Sequence, residues 1–322
     1  MQKRLVPLAF WVAASCALSL PVAAAPAQAQ VLLSRTWVSS DGSDLNPCTR
    51  DAPCRLFDSA MEKTADGGEV NCVDPGSFGT INITQGLTIN CTGTLGSVAN
   101  FSTLTGVIIN APGKKVKLRG LEIVGAPPLS LPARGIRIQS AASVTLDEVF
   151  IHNQTAGAGI EISPSSGTVF VFINNSVLAD NGNGAAAGIQ VVPTGTALVR
   201  LSMNGVQVLG TTGNALRLDS TGTAGLGILT IIENSTFSNS SGSGISAVAG
   251  SAPTPFNVTL VDNSNLSNNG GAGISTSGAA ARVRVSNTAL SLNGTGISPG
   301  TGFINDLGDN RVVGNSADGA FN

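Results

Sequence analysis

The sequence predicts an all-β chain, a right-handed parallel β-helix solenoid of about nine coils behind an N-terminal cap of one strand and one helix. Three observations carry this. A Gly-Ile step recurs along the chain, apolar columns emerge when the coils are aligned, and abundant Gly, Ser, Thr and Asn are combined with plentiful Val, Ile and Leu. Only 11% of residues are charged against 42% hydrophobic, so the chain has the apolar content to bury a core and is not a disordered, charge-rich segment.

The step falls at Gly106-Val107, Gly135-Ile136, Gly159-Ile160, Gly188-Ile189, Ala215-Leu216, Gly244-Ile245, Gly273-Ile274 and Gly296-Ile297. Its seven intervals are 29, 24, 29, 27, 29, 29 and 23 residues, a self-similarity that marks a repeat architecture. A second landmark follows in each coil: Gly120, Glu148, Asn175, Gly205, Asn234, Asn263 and Asn287. Three residues after it stand Ile123, Ile151, Leu178, Val208, Phe237, Leu266 and Leu290; two before it stand Leu118, Leu146, Ile173, Met203, Ile232, Val261 and Val285. Apolar columns flanked by polar ones are what stacked strands produce when alternate side chains enter a shared core. Gly and Asn recur between strands because they tolerate the left-handed backbone of a sharp bend. Extra length, such as 126–131 with Pro127-Pro128, belongs in loops between landmarks.

A leucine-rich repeat would need denser leucines and a helix per coil, and a β-sandwich would not repeat the same columns. Calcium-binding nonapeptide repeats are excluded because no Asp follows the Gly-Gly steps at the required spacing.

Residues 1–29 read as a secretory signal: Lys3 and Arg4, an apolar run from Leu5 to Leu20, and Ala27-Gln28-Ala29 as the cleavage site. The run is shorter than the ~20 residues of a spanning helix, so no membrane span is expected after cleavage. Cys16 lacks the preceding Leu of a lipoprotein site. Without the signal the chain carries 15 basic and 19 acidic residues, which argues against nucleic acid as a partner. Four cysteines then remain, Cys48, Cys54, Cys72 and Cys91. In an exported chain an even count points to disulfides, with three possible connectivities. We favour Cys48 with Cys54 and Cys72 with Cys91, the latter on neighbouring strand-like runs. The C-x5-C spacing and a single histidine, His152, do not suit zinc.

The most distinctive text lies between residues 36 and 79: Thr36-Trp37-Val38-Ser39-Ser40-Asp41-Gly42, Asn46-Pro47-Cys48, Ala52-Pro53-Cys54-Arg55, Gly67-Gly68-Glu69 and Asp74-Pro75-Gly76-Ser77-Phe78-Gly79. This resembles the opening of bacterial right-handed β-helix repeat proteins of the pectin-lyase-like superfamily, in which a strand, a polar turn and a helix precede the first coil. Residues 53–64 carry Leu56, Phe57, Ala60 and Met61 on one helical face, suited to covering the open end of a solenoid. The expected organisation is a cap over 34–68 and a β-helix domain over 69–322.

The resemblance implies a search for polysaccharide-enzyme residues. The clustered aspartates and histidine of the superfamily's hydrolases have no counterpart, and His152 reads as a satisfied turn residue. The lyases' acidic calcium cluster has none either, so no metal and no cofactor are expected. The outward column before the landmark reads Arg119, Asp147, Asn174, Asn204, Glu233, Asp262 and Ser286. Glu233 and Asp262, one rung apart, are the candidate catalytic pair, close enough to share a proton or hold a cation. A second outward column reads Arg137, Glu161, Gln190, Arg217, Ser246, Ser275 and Ser298. Its first four residues are candidate glycan ligands, although Arg137 and Glu161 would neutralise one another as an exposed pair worth little. Lys114, Lys115, Lys117 and Arg119, joined by Arg134 and Arg137, form a basic run, and Phe150 and Phe172 are the exposed aromatics. The expected function is an exported, secreted or periplasmic, non-catalytic module that engages surface, matrix or polysaccharide. The alternative is a lyase or glycoside hydrolase acting on a uronate-containing polymer.

Overall fold

Each coil makes three strands because its apolar residues alternate in three short stretches separated by two residues of left-handed backbone. In the computed structural model the described residues are 2, 31–101, 105–125, 134–251 and 254–322, and 32–322 form one compact unit. The segment expected to be a signal peptide, apart from residue 2, and the expected loop at 126–131 lie outside the described residues.

All strand pairs are parallel and join each coil to the next. One sheet, the long-strand sheet, stacks Thr168–Asn174, Leu198–Asn204, Gly227–Glu233, Phe256–Asp262, Ala281–Ser286 and Phe303–Asp306. A second, the Gly-Ile sheet, stacks Ile160–Ile162, Ile189–Val191, Leu216–Asp219, Ile245–Val248, Ala272–Ser277 and Thr295–Ser298. The strands Thr105–Arg119 and Arg134–Asp147 run from one of these sheets into the other, which joins them by hydrogen bonds. The third sheet is separate and stacks ten short strands, from Gly76–Ser77 to Arg311–Val313, in keeping with the expected coil number. Every member of the two apolar columns is fully buried.

The two corners of the coil use different devices. From the long-strand sheet into the short one, the landmark column is left-handed throughout, from Gly120 (φ 60°) to Asn287 (φ 46°), as the sequence predicts. The buried hydroxyls that follow, Ser176, Ser235 and Ser264, each accept the N–H of the preceding coil (Val149, Val206 and Ser235) and donate to a carbonyl two residues back. At the corner into the Gly-Ile sheet a second left-handed column runs Asn153, Asp180, Gly210, Asn239, Asn268, Leu292 and Gly314. Behind it a buried amide ladder climbs the core: Asn293 Oδ1 accepts from Asn269 N (3.0 Å) and Asn269 Nδ2 (2.9 Å), while its Nδ2 donates to Leu266 O and Asn315 Oδ1.

The Gly-Ile glycines are a correction to the expectation. None of them has positive φ; the residue is small because of crowding. A Cβ at Gly135 would come within 2.6 Å of both Gly159 O on the next coil and the Ile151 side chain.

At the N-terminal end the strand Leu33–Val38 pairs with Thr64–Cys72 and so extends the long-strand sheet. The helix is Phe57–Glu62, shorter than the apolar pattern over 53–64 suggests. Phe57 and Ala60 are buried, and the Phe57 ring meets Phe78 edge-on at 5.2 Å. Both favoured disulfides are present, Cys48 with Cys54 and Cys72 with Cys91, with Cα atoms 4.7 and 4.9 Å apart. Asn71 pairs with Asn90 on the adjacent strand, which brings the second pair side by side.

Candidate functional site

With the interior filled, chemistry is confined to the outward columns. The register places the sequence-derived neighbours as expected: Glu233 opposite Asp262, and Arg137, Glu161, Gln190 and Arg217 on four successive rungs. Asp262 accepts from Ser286 Oγ (2.6 Å) and Asn287 Nδ2 (3.2 Å), and these bonds hold its carboxyl below the usual carboxylate range. Among the described residues no three His, Cys, Asp or Glu side chains converge on a metal position.

The second column departs from its expected exposure. Glu161 is buried, because the turns at 156–158 and 183–186 close over it. Arg134 Nε donates to its Oε2 at 2.6 Å, Arg137 Nε approaches Oε1 at 3.0 Å, and Ser163 Oγ donates at 3.2 Å. The carboxylate is therefore clamped by two arginines, and the weak exposed pair of the sequence reading is not what forms; removing one partner of a buried pair is costly. A polar hollow of about 220 Å³ lies beside it, lined by Arg134, Asn183 and Gln190 among others. Gln190 Oε1 is shielded from solvent with no hydrogen-bond partner. Arg217 donates to Asp219 Oδ2 at 2.7 Å. Burial raises the Asp219 pKa, but bonds from Arg217 and Thr221 outweigh it and leave the pKa lowered.

Other expectations are revised by the geometry. His152 lies in a strand, not a turn; its Nε2 meets Glu122 Oε1 at 3.0 Å and its ring stacks on Phe150 at 4.4 Å. The basic run is dispersed: Lys114 pairs with Asp66, Arg119 with Asp147, and Arg134 and Arg137 turn to Glu161.

A surface that the sequence reading missed lies on the outer side of the long-strand sheet. One column there reads Phe170, Arg200, Leu229, Val258, Arg282 and Phe303; the next reads Phe172, Ser202, Ile231, Leu260 and Arg284. These columns line two adjoining clefts of about 570 and 680 Å³. Arg200 lies over the Phe170 ring and Arg282 over Phe303, at 5.7 and 5.4 Å. Strict alternation would have revealed it, had outward as well as inward positions been tabulated for apolar content.

Residues 187–322 match the family model described as the right handed beta helix region. Fold and match together define the class, a right-handed parallel β-helix protein. Its fold is similar to that of the pectate lyase Pel9A (TM-score 0.46, 12% identity, covering 84% of this chain and 67% of that one). It is also similar to a rhamnogalacturonan lyase (0.42, 14%, 84% and 72%). A third similar structure is the GH136 lacto-N-biosidase from Eubacterium ramulus (0.41, 12%, 86% and 67%). No curated protein matches the chain in sequence.

Proposed function

We propose that this is an exported, non-catalytic β-helix protein that takes up glycans on its outer surface, with Gln190, Arg217 and the Arg134–Glu161–Arg137 clamp as the polar contact region. The observation that carries the reading is the polar hollow beside the clamped Glu161, lined by Arg134, Asn183 and Gln190. Guanidinium and amide side chains of this kind suit sugar hydroxyls and uronates. At about 220 Å³ the hollow is smaller than the ~300–1,000 Å³ of a drug-sized ligand pocket, which suits a subsite gripping one ring of a longer polymer. Two disulfides near the capped end and the signal-like N-terminus support export.

The test is a glycan panel of neutral and uronate-containing polymers, with and without calcium, read for both binding and chain cleavage. Binding without turnover is expected, weakened roughly tenfold by Gln190→Ala or Arg217→Ala, the scale of one hydrogen bond to a charged or buried group. New reducing ends or unsaturated products that disappear in Glu233→Gln and Asp262→Asn would replace this reading with the lyase or hydrolase alternative.

A further inference from the structure

The outer face of the long-strand sheet bears a surface that the polar hollow does not use. Its two columns are set two residues apart on each strand, roughly 7 Å, and repeat every ~4.8 Å along the rod. The centre is aliphatic on two successive rungs: Leu229 and Ile231 on one, Val258 and Leu260 on the next. Ile231 is 46% exposed, with no side chain of the protein laid over it to complete a core. Phe170 and Phe172 close one end, at 41% and 39% exposure. At the other end Arg282 and Arg284 stand on the same strand, both exposed. Among the described residues neither they nor Arg200 forms an ion pair with a carboxylate.

Three physical points select the occupant. The aliphatic centre offers no hydrogen bonds to sugar hydroxyls. The strip is six rungs long and about two columns wide, a few hundred Å², well short of the ~800 Å² per partner of a stable protein interface. Lastly, the charge is one-sided within the strip and placed at its ends. The column beside it carries Glu233 and Asp262 next to the aliphatic rungs but Asn204 and Ser286 next to the arginine rungs, so an anion is steered away from the middle, and two guanidiniums on one strand favour Arg282 and Arg284 over the single Arg200.

The geometry points to a docking trough for a free, single-chain anionic amphiphile: a long unbranched acyl chain lying along the rod between the two columns, its carboxylate on Arg282 and Arg284 and its tail on Phe172. From Arg284 to Phe172 is four rungs, roughly 19 Å at ~4.8 Å per rung. That is the extended length of about fifteen carbons, because each C–C bond of ~1.5 Å advances a zigzag chain by only about 1.3 Å. Paired guanidiniums suit a carboxylate because each presents a planar fork of donors.

The experiment is titration calorimetry of the mature chain with dodecanoate, hexadecanoate and methyl hexadecanoate, each below its aggregation concentration. Parallel arms use vesicles of zwitterionic and of anionic phospholipid and a soluble polyuronate. Hexadecanoate should bind at one site, and each two-carbon shortening should weaken it about fourfold, half of the full burial gain per methylene. The methyl ester should bind at least tenfold more weakly. The Arg282→Gln/Arg284→Gln double variant should lose tenfold or more for hexadecanoate while leaving the ester unchanged. Ile231→Asn/Leu260→Asn should abolish binding of both, with thermal unfolding unchanged because these side chains face solvent. Several results would overturn the trough: no binding, binding indifferent to head charge or to the arginines, binding of vesicles without binding of free hexadecanoate, displacement of hexadecanoate by polyuronate, or a dimer broken by the aliphatic double variant. The glycan reading rests on the opposite columns and its own variants, so either can fail alone.

Discussion

The two corners of each coil solve one geometric problem with different chemistry. Both bend the chain through a single, mostly exposed left-handed residue, but the corner after the long strand, the hydroxyl corner, backs it with short buried hydroxyls, whereas the corner before the Gly-Ile strand, the amide corner, backs it with a buried ladder of amides. A hydroxyl accepts one N–H of the neighbouring coil and donates to a carbonyl two residues back, with no bond to the next hydroxyl. An asparagine satisfies a neighbour's N–H and a strand carbonyl together, and its amide also bonds to the next asparagine, as at Asn269, Asn293 and Asn315. The ladder is broken in mid-rod, where Thr211 and Ser240 take the column and their hydroxyl oxygens have no hydrogen-bond partner. The number of bonds per rung decides which corner carries more stability.

The largest expected effect breaks the amide corner. Asn293→Leu leaves the amide N–H groups of Asn269, Leu266 O and Asn315 Oδ1 short of partners inside the core, and should cost about 3–4 kcal/mol in urea unfolding. A little smaller is Gly188→Ala, which crowds the entry to the Gly-Ile sheet. Its Cβ would lie 2.7 Å from Val208 and 2.9 Å from Ala215 O, and a loss of about 2 kcal/mol is expected in the same assay. Asn263→Ala at the hydroxyl corner should cost about 1 kcal/mol, because alanine resists the left-handed backbone at φ 45°. In the opposite direction, Ser240→Asn should repair a rung and gain up to about 1 kcal/mol, visible as a raised melting temperature.

The smallest effect is pH-dependent. Asp262 is held below the ordinary carboxylate range by Ser286 and by Asn287 of the hydroxyl corner. A lowered folded-state pKa contributes stability that is present above the unfolded value, near ~3.9, and is lost as pH falls through the folded value. The group is largely solvated, so the contribution is no more than a few tenths of a kcal/mol. Comparing Asp262→Asn with the unaltered chain between pH 6 and 2 should show the difference at the upper end only; a constant offset would refute the linkage.

Much of this architecture was legible in the chain. The columns at Leu118–Val285 and Ile123–Leu290 named core residues without error because inward positions tolerate only apolar side chains. The left-handed column of the hydroxyl corner was legible too, since left-handed backbone selects Asn and Gly. The amide corner escaped notice because its column mixes Gln154, Asn181, Thr211, Ser240, Asn269 and Asn293, which in text look like ordinary turn composition. The Gly-Ile step was found but given the wrong cause, since a sequence does not distinguish a glycine required for φ from one required for space.

Period and inward pattern, which are local alternations repeated at near-constant spacing, were thus determined by the sequence alone: a parallel solenoid, its core columns and its paired cysteines. Tertiary structure alone decided what each outward residue became. Glu161 is clamped between Arg134 and Arg137 beside a hollow lined by turns of two coils, and the carboxylate of Asp262 is engaged by Ser286 and Asn287 one rung further on. The apolar strip with its arginines exists only because coils about 29 residues apart stack in register, which places Phe172, Ile231, Leu260 and Arg284 in one line. Burial is a one-residue property that text records well; a surface is assembled across rungs, and its chemistry arises from neighbours the chain order keeps apart.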